Sequence, residues 1–157
     1  MIEIQITPEM VQKAKVKAAQ MGTLTNSIRQ GDGNVVGFIG EQIAQQVLGA
    51  AEKNNFQHDL VLPNGMTVDV KTKQTTVKPR PDYDCSVAAF NTKQQCDYYA
   101  FVRVKNDHTV GWYLGAYKKS EYLQNAIALK KGQIDPSNNF TVKADCYNMK
   151  ISDLQQI

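Results

Sequence analysis

Apolar residues recur along the chain with two periods, one of two residues and one near 3.6, which predict strands and helices in turn. Thr7-Pro8-Glu9 predicts a helix start, and a Gly-, Ser-, Asn- and Thr-rich segment at 22–34 predicts a loop. The element order predicts a single α/β domain over residues 1–157, with a mixed central sheet flanked by helices. The predicted elements are a strand at 2–6, helices at 8–21 and 35–50, a hairpin at 58–74, strands at 85–90, 97–104 and 109–117, an amphipathic helix at 118–131 and a strand at 140–151.

The hairpin sequence HDLVLPNGMTVDVKTKQ permits two registers. A two-residue turn at 64–65 would place Asp59 opposite Val70, whereas a three-residue turn at 63–65 places Asp59 opposite Asp69. Proline suits the first position of a type I turn, and glycine suits the left-handed position that follows. The three-residue register also separates apolar from charged residues, so we expect that register.

The charged face of this hairpin predicts a cation site. Facing carboxylates of Asp59 and Asp69, about 5 Å apart, would repel by roughly 3 kcal/mol at an effective dielectric near 20. Lys71 lies two residues along the same face and relieves only part of this repulsion, whereas a divalent cation would relieve nearly all of it. Oxygen ligands suit Mg²⁺, with Mn²⁺ as a substitute. The alternative is an ordinary solvated hairpin face. The apolar set is Leu60, Leu62, Met66, Val68 and Val70, and the charged set is Asp59, Thr67, Asp69, Lys71 and Lys73.

The helix before the hairpin, NVVGFIGEQIAQQVLGA, offers a third carboxyl group. At about 100° per residue, apolar residues and glycines fill one half of the helix and glutamines fill the other. Glu41 falls at the border between them. It can therefore be directed along the sheet toward the Asp pair, or it can be a solvated glutamate at the rim of an amphipathic helix.

Composition narrows the class of protein. The net charge of +3 permits an anionic partner without requiring one. The widely spaced Cys85, Cys96 and Cys146 indicate neither a disulfide framework nor a zinc site, which favours a reducing cytoplasm. No apolar run reaches the roughly 18 residues of a membrane span, and the N-terminus lacks a signal-peptide pattern. We expect a soluble, intracellular protein with no membrane partner.

A helix carrying GFIGE, then Asp59, a turn and Asp69-Val70-Lys71, resembles the core of the PD-(D/E)XK nuclease superfamily, whose fold is restriction-endonuclease-like. The resemblance covers residues 35–104. The helix at 8–21 precedes it, and a helix–strand extension at 118–151, similar to that of some phage-type members, follows it. The chain departs from the family pattern at His58, where proline is usual, and at 75–96, where the second core helix is short or displaced.

The resemblance implies a Mg²⁺-dependent deoxyribonuclease. It gives a catalytic set of Glu41, Asp59, Asp69 and Lys71, and a metal-ligand set of Asp59, Asp69, the Val70 carbonyl and Glu41. Lys71 would position or deprotonate the attacking water, and Gln74 is an accessory candidate. Surrounding cations would hold the nucleic-acid backbone without reading its sequence, although each alone suits an ordinary solvated surface. These cations are Lys73, Lys78, Arg80 and Lys93.

Two alternatives stay open on the same fold. One is a non-catalytic nucleic-acid-binding protein, and the other is a structure-selective junction resolvase that acts as a homodimer. DNA is the expected partner, with RNA left open. The expected location is the cytoplasm, that of the host cell in the case of a phage-type protein.

Overall fold

The computed structural model describes residues 1–21, 32–53 and 58–157. Most of the loop predicted at 22–34 lies outside these ranges, and the second helix already begins at Asp32. The elements are β1 (Ile2–Gln5), α1 (Pro8–Met21), α2 (Asp32–Leu48), β2 (Ala51–Glu52), β3 (Leu60–Val61), β4 (Thr67–Thr75), β5 (Asp84–Ala88), a 3-10 turn (Ala89–Asn91), β6 (Tyr98–Lys105), β7 (Val110–Lys118), α3 (Lys119–Asn125), β8 (Ile127–Leu129), β9 (Cys146–Lys150) and a second 3-10 turn (Ile151–Asp153).

Two sheets organise these elements, which confirms a mixed α/β architecture. The main sheet has the strand order β1-β7-β6-β4-β3-β2, and the smaller sheet has the order β5-β9-β8. In the main sheet β4 runs parallel to β6, and every other pair of neighbouring strands in this sheet is antiparallel. Between β4 and β6 the chain forms β5 and a 3-10 turn but no α-helix, so the connection of the parallel pair runs through the smaller sheet.

The main sheet separates two apolar clusters, because successive side chains of a strand point to opposite faces. On one face α1 and α2 cover buried Val68, Ala100 and Val102. On the other face the smaller sheet and α3 cover a second cluster, in which Tyr122 is fully buried and its hydroxyl donates to the Tyr147 carbonyl at 2.7 Å. The result is three layers, with both faces of β4 available to position polar side chains.

The prediction of a helix at 118–131 is wrong for the second half of that segment. The helix begins at Lys119 and ends at Asn125, and Ala126 takes an extended conformation with ψ of 153°. Residues Ile127–Leu129 then form β8, whose three residues pair with the start of β9. Pairing with a distant strand has overridden the local helical pattern, a common outcome for short amphipathic segments.

A helix able to cross a membrane is not found in the part of the chain that the structure describes.

Candidate active site

The hairpin β3–β4 has the predicted three-residue register. Leu60 lies opposite Val68, and the Leu62 amide donates to the Met66 carbonyl at 2.8 Å across the turn. Gly65 has a φ of 88°, the left-handed conformation that glycine adopts without strain. Asp59, one residue before β3, is therefore carried to the side of Asp69.

Three carboxyl groups converge at this point. Oδ2 of Asp59 accepts a hydrogen bond from the Val70 amide at 2.8 Å. The carboxyl of Asp59 is within hydrogen-bonding reach of both Glu41, from α2, and Asp69, from β4. Because the amide and carbonyl of one strand residue point to the same side, the Val70 carbonyl is directed toward Asp59 as well. The structure thus brings together the four predicted metal ligands.

Two lysines compensate part of this negative charge. Lys71 Nζ lies 2.6 Å from Oδ2 of Asp69 and 5.5 Å from the ring centroid of Tyr99. Lys17, from α1, lies 3.7 Å from Oε2 of Glu41 and also pairs with the carboxylate of Glu52. Four carboxyl groups therefore share two ammonium groups.

Burial, together with the excess of carboxyl groups, raises the pKa of the acids at the centre of the cluster. Burial, followed by the nearby charge of Glu41, raises the pKa of Asp59 to about 8, against the opposing Val70 hydrogen bond. Burial also raises the pKa of Glu41 to about 6, although Lys17 opposes the shift. A buried acid that keeps its proton near neutral pH is typical of sites that bind cations or transfer protons.

The donor set fits a hard divalent cation. All candidate ligands are oxygens, which Mg²⁺ and Mn²⁺ prefer. The buried Oδ2 of Asp69 accepts no hydrogen bond of ordinary geometry from the described residues. Its contact with the Lys71 ammonium is an ion pair. Within residues 1–21, 32–53 and 58–157, no three acidic, histidine or cysteine side chains already surround a common ion position.

The remaining predicted residues lie in different places. Gln74 is on the opposite face of β4 from Lys71, because it lies three positions further along a strand without a bulge. Lys73 shares the Lys71 face, on the side toward the C-terminus of β4. Lys78 and Lys93 are exposed loop residues. Arg80, also exposed, pairs with Asp82 at 2.9 Å.

Sequence reasoning missed two charged residues near the site. Lys17 was not singled out, because Lys13, Lys15 and Lys17 are spread around the predicted helix rather than along one side and so do not indicate a binding patch. In the structure Lys17 lies against Glu41 and 4.8 Å from the Phe38 ring centroid. Arg103 gave a clearer signal, since it interrupts an otherwise apolar strand. It is only 7% exposed and lies beside Lys73 in the β4–β6 register.

Comparison with protein-family models and with curated proteins gives no match to this chain. The PD-(D/E)XK resemblance therefore rests on a residue motif and on the order of its residues along the chain. These residues are Glu41, Asp59, Asp69 and Lys71. Function has to be inferred from the arrangement of these side chains.

Proposed function

We propose that this protein is a divalent-metal-dependent nuclease that hydrolyses phosphodiester bonds, with DNA as its substrate. One observation carries the proposal. A helix and the hairpin that follows it bring Glu41, Asp59 and Asp69 together beside Lys71. Such a cluster is costly to fold because its carboxyl groups are buried, and a bound cation would offset that cost.

In this proposal Mg²⁺, or Mn²⁺ in its place, is held by Asp59, Asp69, the Val70 carbonyl and Glu41. When bound, the ion supplies an acidified water and a counter-charge for the phosphate. Lys71 donates hydrogen bonds to the attacking water or to a phosphate oxygen. Tyr99, buried beneath Lys71, limits where the ammonium can lie. Lys17 keeps Glu41 ionised and so available as a ligand.

The fold supports the same proposal. An acid-bearing helix, an antiparallel hairpin and a strand parallel to β4 follow one another in the order of a restriction-endonuclease-like core, and β5 with a 3-10 turn stands where that core has its second helix. We propose that core for residues 35–104. The smaller sheet and α3 are additions to it, placed on the face that carries Lys71.

Cleavage of supercoiled plasmid, linear duplex and single strands tests the proposal, with Mg²⁺, Mn²⁺ or EDTA. The variants are Asp69→Asn, which keeps side-chain size but weakens a ligand, and Lys71→Met, which removes the ammonium. We expect each to lower the cleavage rate at least about 100-fold, the usual cost of losing one electrostatic group of an active site. The wild type should be inactive in EDTA.

Asp153→Asn is the matched control, since Asp153 is exposed and distant in the chain from the cluster. A wild-type rate in Asp69→Asn, or full cleavage in EDTA, would contradict the proposal. Binding of DNA without cleavage in either metal would instead support the non-catalytic alternative.

A further inference from the structure

A cleft of about 640 Å³ opens between the main sheet and the smaller sheet. We call it the basic cleft, because four of its lining side chains are cationic. These are Lys73, Arg80, Arg103 and Lys143. Lys73 and Arg103 come from the main sheet, on the face that carries Lys71, and the other two come from surrounding loops.

The basic cleft continues toward the candidate active site. A smaller cavity of about 50 Å³ shares Lys73, Ser86 and Arg103 with the cleft and is also lined by Lys71. Lys71 and Lys73 point to the same side of β4 and are about 6.6 Å apart along the strand. A chain of cationic groups therefore leads from the ion pair of Asp69 into the cleft.

The lining carries a net positive charge. Its two acidic residues are Asp82, paired with Arg80, and Asp84, whose Oδ2 accepts hydrogen bonds from Ser137 and Asn138 at 2.9 Å each. Four cations and two anions leave an excess of two positive charges. Arg103 is buried among these groups and donates to the backbone carbonyl of Asp84 at 2.6 Å, so this hydrogen bond does not use a carboxylate.

Two aromatic rings accompany these cations. Phe140 is 54% exposed, unusual for a phenylalanine side chain, and Lys143 Nζ lies 6.0 Å from its ring centroid. Tyr83 has the Arg80 guanidinium 5.4 Å from its ring centroid. Rings beside cations, with Phe140 open to solvent and Tyr83 partly buried, are the combination that binds unpaired bases together with their phosphates. Duplex recognition does not require them, since its bases are already stacked.

Resting on the nuclease function proposed above, we propose that the basic cleft binds a single-stranded segment of the nucleic acid and guides it to Lys71. The cleft volume falls in the range of about 300–1,000 Å³ that suits small ligands, which is room for one or two nucleotides. A duplex cannot place a base on Phe140, because its bases are paired and stacked inside the helix. Phe140 stacks on a base, and Lys73, Arg103 and Lys143 contact the phosphates.

Binding without cleavage tests the cleft separately from the chemistry. Fluorescence anisotropy in EDTA would compare a labelled twelve-nucleotide single strand with the matching duplex. Phe140→Ala should weaken single-strand binding at least about fivefold, the loss of one base–aromatic stack, whereas Phe90→Ala should not. Phe90 is the matched control because it is 69% exposed and lies outside the cleft lining.

The salt dependence of single-strand binding tests the cations of the cleft. Lys143→Gln should lower the slope of the logarithm of the binding constant against the logarithm of the salt concentration by about 0.7. Lys15→Gln, at an exposed position outside the cleft, should leave this slope unchanged.

Equal affinities for single strand and duplex, or equal effects of Phe140→Ala and Phe90→Ala, would overturn the inference. Cleavage with Mg²⁺ then separates this failure from that of the nuclease proposal. If Asp69→Asn abolishes cleavage while the cleft variants bind and cleave as the wild type does, the nuclease stands and the cleft inference falls. If the wild type never cleaves but Phe140→Ala loses single-strand binding, the cleft is supported and the nuclease proposal falls.

Discussion

Replacing Asp59 with asparagine should stabilise the protein at alkaline pH in the absence of metal. The Asp59 carboxyl is buried among other acids, and its pKa is raised from 3.8 to about 8. Asparagine has the same shape and still accepts the Val70 amide hydrogen bond. Its amide group can donate to Glu41 or Asp69, so the substitution removes a charge without leaving an unsatisfied group.

The pH dependence follows from proton binding. Between pH values near 4 and 8, the unfolded state has released the Asp59 proton while the folded state retains it. The free energy of unfolding therefore falls by about 1.4 kcal/mol per pH unit across this window. The roughly four-unit difference in the pKa of Asp59 corresponds to about 5 kcal/mol lost by pH 8. Below pH 4 the residue is protonated in both states and contributes nothing.

Urea unfolding from pH 4 to pH 9 in EDTA measures this effect. We expect Asp59→Asn to be about 2–5 kcal/mol more stable than the wild type at pH 8 and equal to it near pH 4. Asp153→Asn, at an exposed position, should follow the wild-type curve. Adding Mg²⁺ at 100 times its dissociation constant should stabilise the wild type by about 2.7 kcal/mol and the Asp59→Asn variant by less.

Parallel stability curves for the wild type and Asp59→Asn between pH 4 and pH 9 would refute the reasoning, since they would show that Asp59 ionises freely in the folded protein. A larger Mg²⁺ effect in the variant would refute its assignment as a ligand.

Two further predictions concern the helices that position the cluster. Lys17→Met should raise the pKa of Glu41 beyond about 6 and lower stability at pH 8 by about 1–2 kcal/mol, as measured by urea unfolding, with no change near pH 4. Gly40→Ala should destabilise by about 1–3 kcal/mol, because the added methyl would overlap the Thr72 side chain. Gly37→Ala is its control: the methyl meets no atom within 4 Å and should stabilise by up to about 1 kcal/mol, so equal effects would contradict the packing argument.

Local chemistry was enough to predict the hairpin. Pro63-Asn64-Gly65 selects one turn and thereby one register, which sets Asp59 beside Asp69. Residues within such a turn interact mainly with one another, so no knowledge of the remaining fold was needed. The helix that carries Glu41 was also predictable, because its apolar face is continuous.

Distant pairings were not predictable from these patterns. The segment at 127–129 continues a helical pattern, yet it forms β8 because residues 146–148 provide a strand to pair with. The position of Lys17 depends on how α1 crosses α2, which side-chain periodicity does not determine. The basic cleft depends on the smaller sheet lying across the Lys71 face, and no single stretch of sequence encodes that contact.

The pairing of β1 with β7 has a consequence for synthesis. Ile2 lies opposite Tyr113, so β1 leaves the ribosome about a hundred residues before the strand with which it pairs. Until then α1, attached directly to β1, is positioned by α2 alone, through contacts that include Lys17 and Glu41. A nascent chain that ends before Tyr113 therefore carries its acids on a main sheet that still lacks β7 and the pairing of β1.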